Sequence, residues 1–166
     1  ACGFMGLGPE PGDRVGIWSQ NNVEWVLTQF AAAKAGLILV NINPAYRRAE
    51  LEYALRKVGC RVLVLAPSFK SSRYPEILQD LAPELAASPA GQARCTRLPS
   101  LQWVIRLGDE ATPGMIGLSD LRRPAEPDRL LALQRLGDVL QFDDTINIQF
   151  TSGTTGQPKG ATLTHH

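Results

Sequence analysis

The sequence is poor in several things at once. It has three cysteines, Cys2, Cys60 and Cys95, widely spaced and odd in number. That pattern fits neither a disulfide framework nor a metal-ligand cluster with two-residue spacing, so reduced thiols are expected. Charge of one sign is also lacking, because 17 Lys and Arg stand against 16 Asp and Glu. The basic residues are scattered, so no stripe for nucleic acid or a membrane surface is expected, and a charged ligand must be met locally. No apolar run is long enough to span a bilayer, since Gln29 and Lys34 interrupt the best candidate. The opening residues have neither an initiator Met nor a basic segment, which excludes a recognisable signal peptide and suggests a partial sequence.

What remains is the composition of a globular α/β protein: 166 residues, 44% hydrophobic and 20% charged. Arg14–Trp18 reads as a strand. Asn21 or Asn22 then offers a helix N-cap, and Val23, Val26, Leu27, Phe30 and Ala31 recur at helical spacing, which predicts an amphipathic helix burying that face and stopping at Gly36. Residues 37–40 are apolar throughout, as in a strand covered on both sides, and Pro44 ends it. Leu51, Ala54, Leu55 and Val58 repeat the helical period up to Gly59, and residues 62–66 form another apolar strand. Alternation of this kind predicts a mostly parallel sheet flanked by helices.

Further along, a helix is expected over 74–81, a strand over 101–107, a short helix over 129–136 and a half-buried strand over 146–150. Residues 88–100 and 108–128 carry no period and read as loops. Cys60 is expected to be a buried structural thiol, Trp18, Trp25 and Trp103 to be packing residues, and Glu50 and Glu52 to lie on a solvated face.

The chemistry is concentrated in Thr151, Ser152, Gly153, Thr154, Thr155, Gly156, Gln157, Pro158, Lys159 and Gly160. Glycines let consecutive amide N–H groups approach an anion, the four hydroxyls add donors, and Lys159 adds a point charge. Composition alone also suits a flexible linker, but a linker has no reason to leave an alternating strand with glycines at these offsets and close with Pro-Lys-Gly. The order fails the Walker A pattern, because Pro158 precedes the lysine and Gly160 follows it.

Residues 148–159 resemble the AMP-binding signature of the adenylate-forming superfamily at every constrained position. That superfamily contains acyl-CoA synthetases, aryl-CoA ligases, luciferases of the firefly type and the adenylation domains of peptide synthetases. The resemblance continues through Thr162, Leu163, Thr164 and His165, and back through Gly12, Asp13, Arg14 and Val15 and the block Asn43, Pro44, Ala45, Tyr46, Glu50, Leu51. Residues 41–65 and 146–165 are most similar to mitochondrial medium-chain acyl-CoA ligases.

The resemblance implies an ATP-dependent acid–thiol ligase with ATP, Mg²⁺ and CoA, a fatty acid as substrate, and a mitochondrial location. Thr151, Ser152, Thr154, Thr155 and Lys159 would then orient the ATP phosphates, with Gly153 and Gly156 making room and Lys159 as the candidate catalytic residue. Residues 1–166 would be an incomplete N-terminal AMP-binding domain with its phosphate loop at 151–160. Magnesium ligands, the acyl pocket and a small C-terminal domain would lie downstream. The competing expectations are a non-catalytic nucleotide-binding or interaction module from a truncated product, or another adenylate-forming ligase such as an aryl-CoA ligase.

Overall fold

The computed structural model describes residues 1–151 and 158–166; residues 152–157 lie outside the described set. The chain opens with α1 (Cys2–Leu7), then alternates β1 (Arg14–Trp18), α2 (Val23–Lys34), β2 (Ile38–Ile42), α3 (Arg48–Val58) and β3 (Val62–Leu65). A hairpin of β4 (Ser68–Phe69) and β5 (Ser72–Arg73) leads into α4 (Tyr74–Leu81) and the short α5 (Glu84–Ala87). Then come β6 (Trp103–Arg106), β7 (Ile116–Gly117), α6 (Leu118–Leu121), α7 (Pro127–Val139), β8 (Asn147–Thr151) and β9 (Lys159–Leu163).

The main sheet has the order β7-β6-β3-β1-β2-β8-β9. All its pairs are parallel except β8 with β9. Every residue of β3 is buried, as are Val15, Ile17 and Trp18 of β1. Successive side chains of a strand point to opposite faces, so both faces of the sheet centre are covered, as the unbroken apolar runs require. Parallel pairing brings the C-terminal ends of β1, β2, β3 and β8 to one edge. At that edge Trp18 stacks on Tyr74, with ring centroids 3.7 Å apart and planes 12° from parallel.

The helices have identifiable local causes. The Asn22 side chain accepts the Trp25 N–H at 2.7 Å and caps α2. Glu50 accepts the Arg47 N–H at 3.1 Å at the start of α3, and Gly59 ends that helix in the left-handed region at φ 59°. Glu50 is therefore a capping group, while Glu52 takes two hydrogen bonds from the Arg97 guanidinium of the 88–100 loop. Neither carboxylate is merely solvated. The Arg97 hydrogen bonds hold the Glu52 carboxyl below its ordinary range.

Other expectations need correction. The apolar face assigned to α2 faces outward: Val23 is 69% exposed and Phe30 62%, and Val26 and Leu27 are also exposed. The buried side consists of Thr28 and Ala32, with Trp25 and Ala31 partly packed on the core. Small residues let the helix approach closely, and Thr28 remains satisfied by donating to the Glu24 carbonyl at 2.7 Å. Within 108–128, read as loop, lie β7 and α6, and α7 begins at Pro127 rather than 129. The helix α1, the β4–β5 hairpin and β9 carried no sequence signal that was recognised.

Candidate functional site

The Gly-, Ser- and Thr-rich segment leaves the C-terminal end of β8, at the edge where ligands of open parallel α/β sheets are met. Strand β8 lies between β2 and β9, so its backbone is held on both sides, and the outer edge on this flank belongs to β9. Asn147, Ile148 and Gln149 pair with Leu39, Val40 and Asn41 on one side. On the other, the antiparallel register sets Thr151 opposite Lys159 and Phe150 opposite Gly160. The hydroxyl of Thr151 donates to the Lys159 carbonyl at 3.4 Å, and both residues are exposed.

Of the residues singled out from sequence, Thr151 and Lys159 are thus brought together as the last and first residues of two paired strands. Ser152, Gly153, Thr154, Thr155 and Gly156 fall outside the described residues. Gly160 packs closely within the sheet, where an added Cβ would stand 3.1 Å from Ile148 Cγ2.

A residue that sequence reasoning passed over also meets this site. Tyr53 of α3 donates its hydroxyl to the Pro158 carbonyl at 3.1 Å, and its ring lies 6.5 Å from that of Phe150. The only sequence signal was a polar-tipped aromatic just off the Leu51, Ala54, Leu55 face, and that says nothing about a partner 105 positions away. Nearby Tyr46 follows the Asn43–Pro44 turn, in which Asn43 accepts the Ala45 N–H at 2.9 Å. Burial, followed by the charges of Glu50 and Tyr53, raises the Tyr46 phenol above its ordinary range.

Chemically, the loop stems present a hydroxyl and an ammonium group, a donor set suited to an anion. It does not suit a divalent cation, and among the described residues no group of three or more His, Cys, Asp and Glu side chains could hold a metal ion. His165 donates its backbone N–H to the Phe142 carbonyl at 3.1 Å, and His166 Nδ1 lies 3.2 Å from Asp143. No described helix is long and apolar enough to cross a membrane.

A family model described as AMP-binding enzyme matches residues 1–166. The mitochondrial medium-chain acyl-CoA ligase ACSF2 of Danio rerio is 49% identical over 166 residues, covering 100% of this chain. Its Homo sapiens counterpart is 45% identical over 167 residues with the same coverage. The chain spans 27% of the length of each of these relatives. Among solved structures, the anthranilate CoA ligase AuaEII in complex with anthranoyl-AMP superposes with a TM-score of 0.71 at 25% identity, covering 98% of this chain and 27% of that one.

Proposed function

The chain belongs to the AMP-binding enzyme family, and from that premise we propose that it forms the phosphate-binding part of an ATP-dependent acyl-CoA ligase. The reaction proposed joins a fatty acid to coenzyme A in two steps. A carboxylate oxygen attacks the α-phosphorus of ATP, forming acyl-AMP as pyrophosphate leaves. The CoA thiol then attacks the acyl carbon, forming the thioester as AMP leaves, and the thiol proton passes to solvent. Medium chain length and a mitochondrial setting are proposed from the printed names of the relatives. On the same reading, residues 1–166 are part of an N-terminal nucleotide-binding domain in a longer ligase.

One observation carries the proposal: β8 delivers Thr151 into the Gly-rich segment and β9 starts opposite it at Lys159, at the open C-terminal edge of a parallel sheet. The first step moves charge onto the departing pyrophosphate, so donors fixed around the β- and γ-phosphates lower its barrier. Lys159 Nζ supplies a flexible point charge, and Thr151 Oγ1 supplies a donor once it turns from the Lys159 carbonyl. Ser152, Thr154 and Thr155 are proposed to add hydroxyl donors, with Gly153 and Gly156 admitting the phosphates. Magnesium is assigned no ligand on this chain.

In the full-length ligase, Lys159→Ala is expected to slow acyl-adenylate formation by about ten- to a hundredfold, the loss of one charge-assisted hydrogen bond. Thioester formation from supplied acyl-AMP should change much less. Equal slowing of both half-reactions would contradict the assignment.

A further inference from the structure

Two tyrosines act at the C-terminal edge of the sheet, each donating to the carbonyl of a proline in a loop. Tyr74 donates to Pro44 at 2.7 Å and Tyr53 to Pro158 at 3.1 Å. Their settings differ. Tyr74 is fully buried, stacked on Trp18, and joins α4 to the loop after β2. Tyr53 is half-buried and reaches both stems of the Gly-rich segment, with its ring beside Phe150 of β8 and its hydroxyl on Pro158 just before β9.

We propose that Tyr53 is a positioning residue for phosphate binding, tying both stems of the loop to α3. The inference rests on the proposed ligase reading. Proline has no backbone N–H of its own, so Pro158 can be held by main-chain hydrogen bonding only through its carbonyl, the group that Tyr53 engages. The next residue is Lys159, so fixing the Pro158 carbonyl fixes the peptide plane from which Lys159 leaves. Helix α3 is a suitable anchor, because Leu51, Ala54 and Leu55 bury one face, Glu50 caps its start and Glu52 is bound by Arg97. Tyr53 thereby transmits the position of a rigid helix to the stem that carries the ammonium group. Its role lies in ordering donors before the phosphates arrive, with no contact to the reacting atoms.

The test uses the full-length ligase with MgATP, a medium-chain fatty acid and CoA. Tyr53→Phe keeps the ring and removes one donor. The expected result is a rise of about three- to tenfold in the KM for MgATP, the range for one neutral hydrogen bond. Thioester formation from supplied acyl-AMP and the thermal midpoint should stay near wild type. Tyr53→Leu, which also loses the ring beside Phe150, should give a larger rise. Tyr74→Phe is the comparison, expected to lower the thermal midpoint with KM for MgATP within about twofold. A wild-type KM in both Tyr53 variants overturns the proposal, as does an equal rise in Tyr74→Phe or a parallel loss of both half-reactions with stability. If Lys159→Ala slows adenylation while the Tyr53 variants are silent, the positioning role fails and the ligase reading stands. If Lys159→Ala is also silent, both fall.

Discussion

Cys60 shows how one residue's surroundings decide its chemistry. Its thiol is 1% exposed and donates to the Val62 carbonyl at 3.0 Å, and burial pushes its pKa up to about 12. At pH 8 the thiol therefore stays protonated and unreactive. Burial also raises Cys95, whereas Cys2 is half-exposed on α1. Iodoacetamide at pH 8 followed by peptide mass mapping is expected to mark Cys2 in the folded chain, and Cys60 only after denaturation. Early labelling of Cys60 would show that its site opens. The raised value also has a sign for stability. The contribution of the protonated thiol is complete below the ordinary thiol pKa of about 8.5 and is lost as the pH climbs towards about 12.

Helix α2 is the element on which periodicity and packing disagree. The 3.6-residue pattern selected the large apolar side chains, and the sheet selected the small ones, because Thr28 and Ala32 allow a closer approach than Phe30 would. Phe30→Gln is therefore expected to change stability by no more than about 0.5 kcal/mol, as for other exposed positions, where a core phenylalanine would cost several times more. A contrasting substitution lies at Gly114, between β6 and β7, where φ is 77° and a Cβ would sit 1.9 Å from the Leu85 carbonyl oxygen of α5. That oxygen belongs to backbone and cannot swing aside. Gly114→Ala should cost about 2 to 5 kcal/mol from left-handed strain and overpacking together. Urea unfolding of the two variants side by side checks both expectations, and a costly Phe30→Gln would mean that the outward face of α2 is covered in solution.

At the scale of the whole chain, the sheet gives the segment proposed to bind phosphate two supported stems, and among the described residues those stems offer one hydroxyl and one ammonium group to a nucleotide. A handful of hydrogen bonds at about 0.5 to 1.5 kcal/mol each is opposed by ordering costs of about 1 to 2 kcal/mol per fixed residue. The 166-residue chain alone is therefore expected to bind MgATP far more weakly than micromolar and to release no pyrophosphate in the presence of fatty acids and CoA. Calorimetric titration and a pyrophosphate assay test this, and submicromolar binding would overturn it. Strand β8 presents no open edge, because β2 and β9 pair with its two sides.

The sequence by itself determined the alternation of strands and helices through β3, since apolar runs and capping residues act over a few positions and need no knowledge of distant partners. Gly59 and a cap at Asn21 or Asn22 were legible for that reason, the structure choosing Asn22, and so was the order of polar residues from Thr151 to Lys159, which is a chemical pattern in the chain itself. Only the tertiary structure decided which face of α2 is buried, because that depends on how closely the sheet is approached. It also decided that Lys159 begins a strand antiparallel to β8, a pairing of residues on opposite sides of a segment whose Gly-rich composition gives weak strand propensity. The contact of Tyr53 with Pro158 belongs to the same class: a hydrogen bond between groups 105 positions apart exists only when the fold has carried α3 to the end of β8.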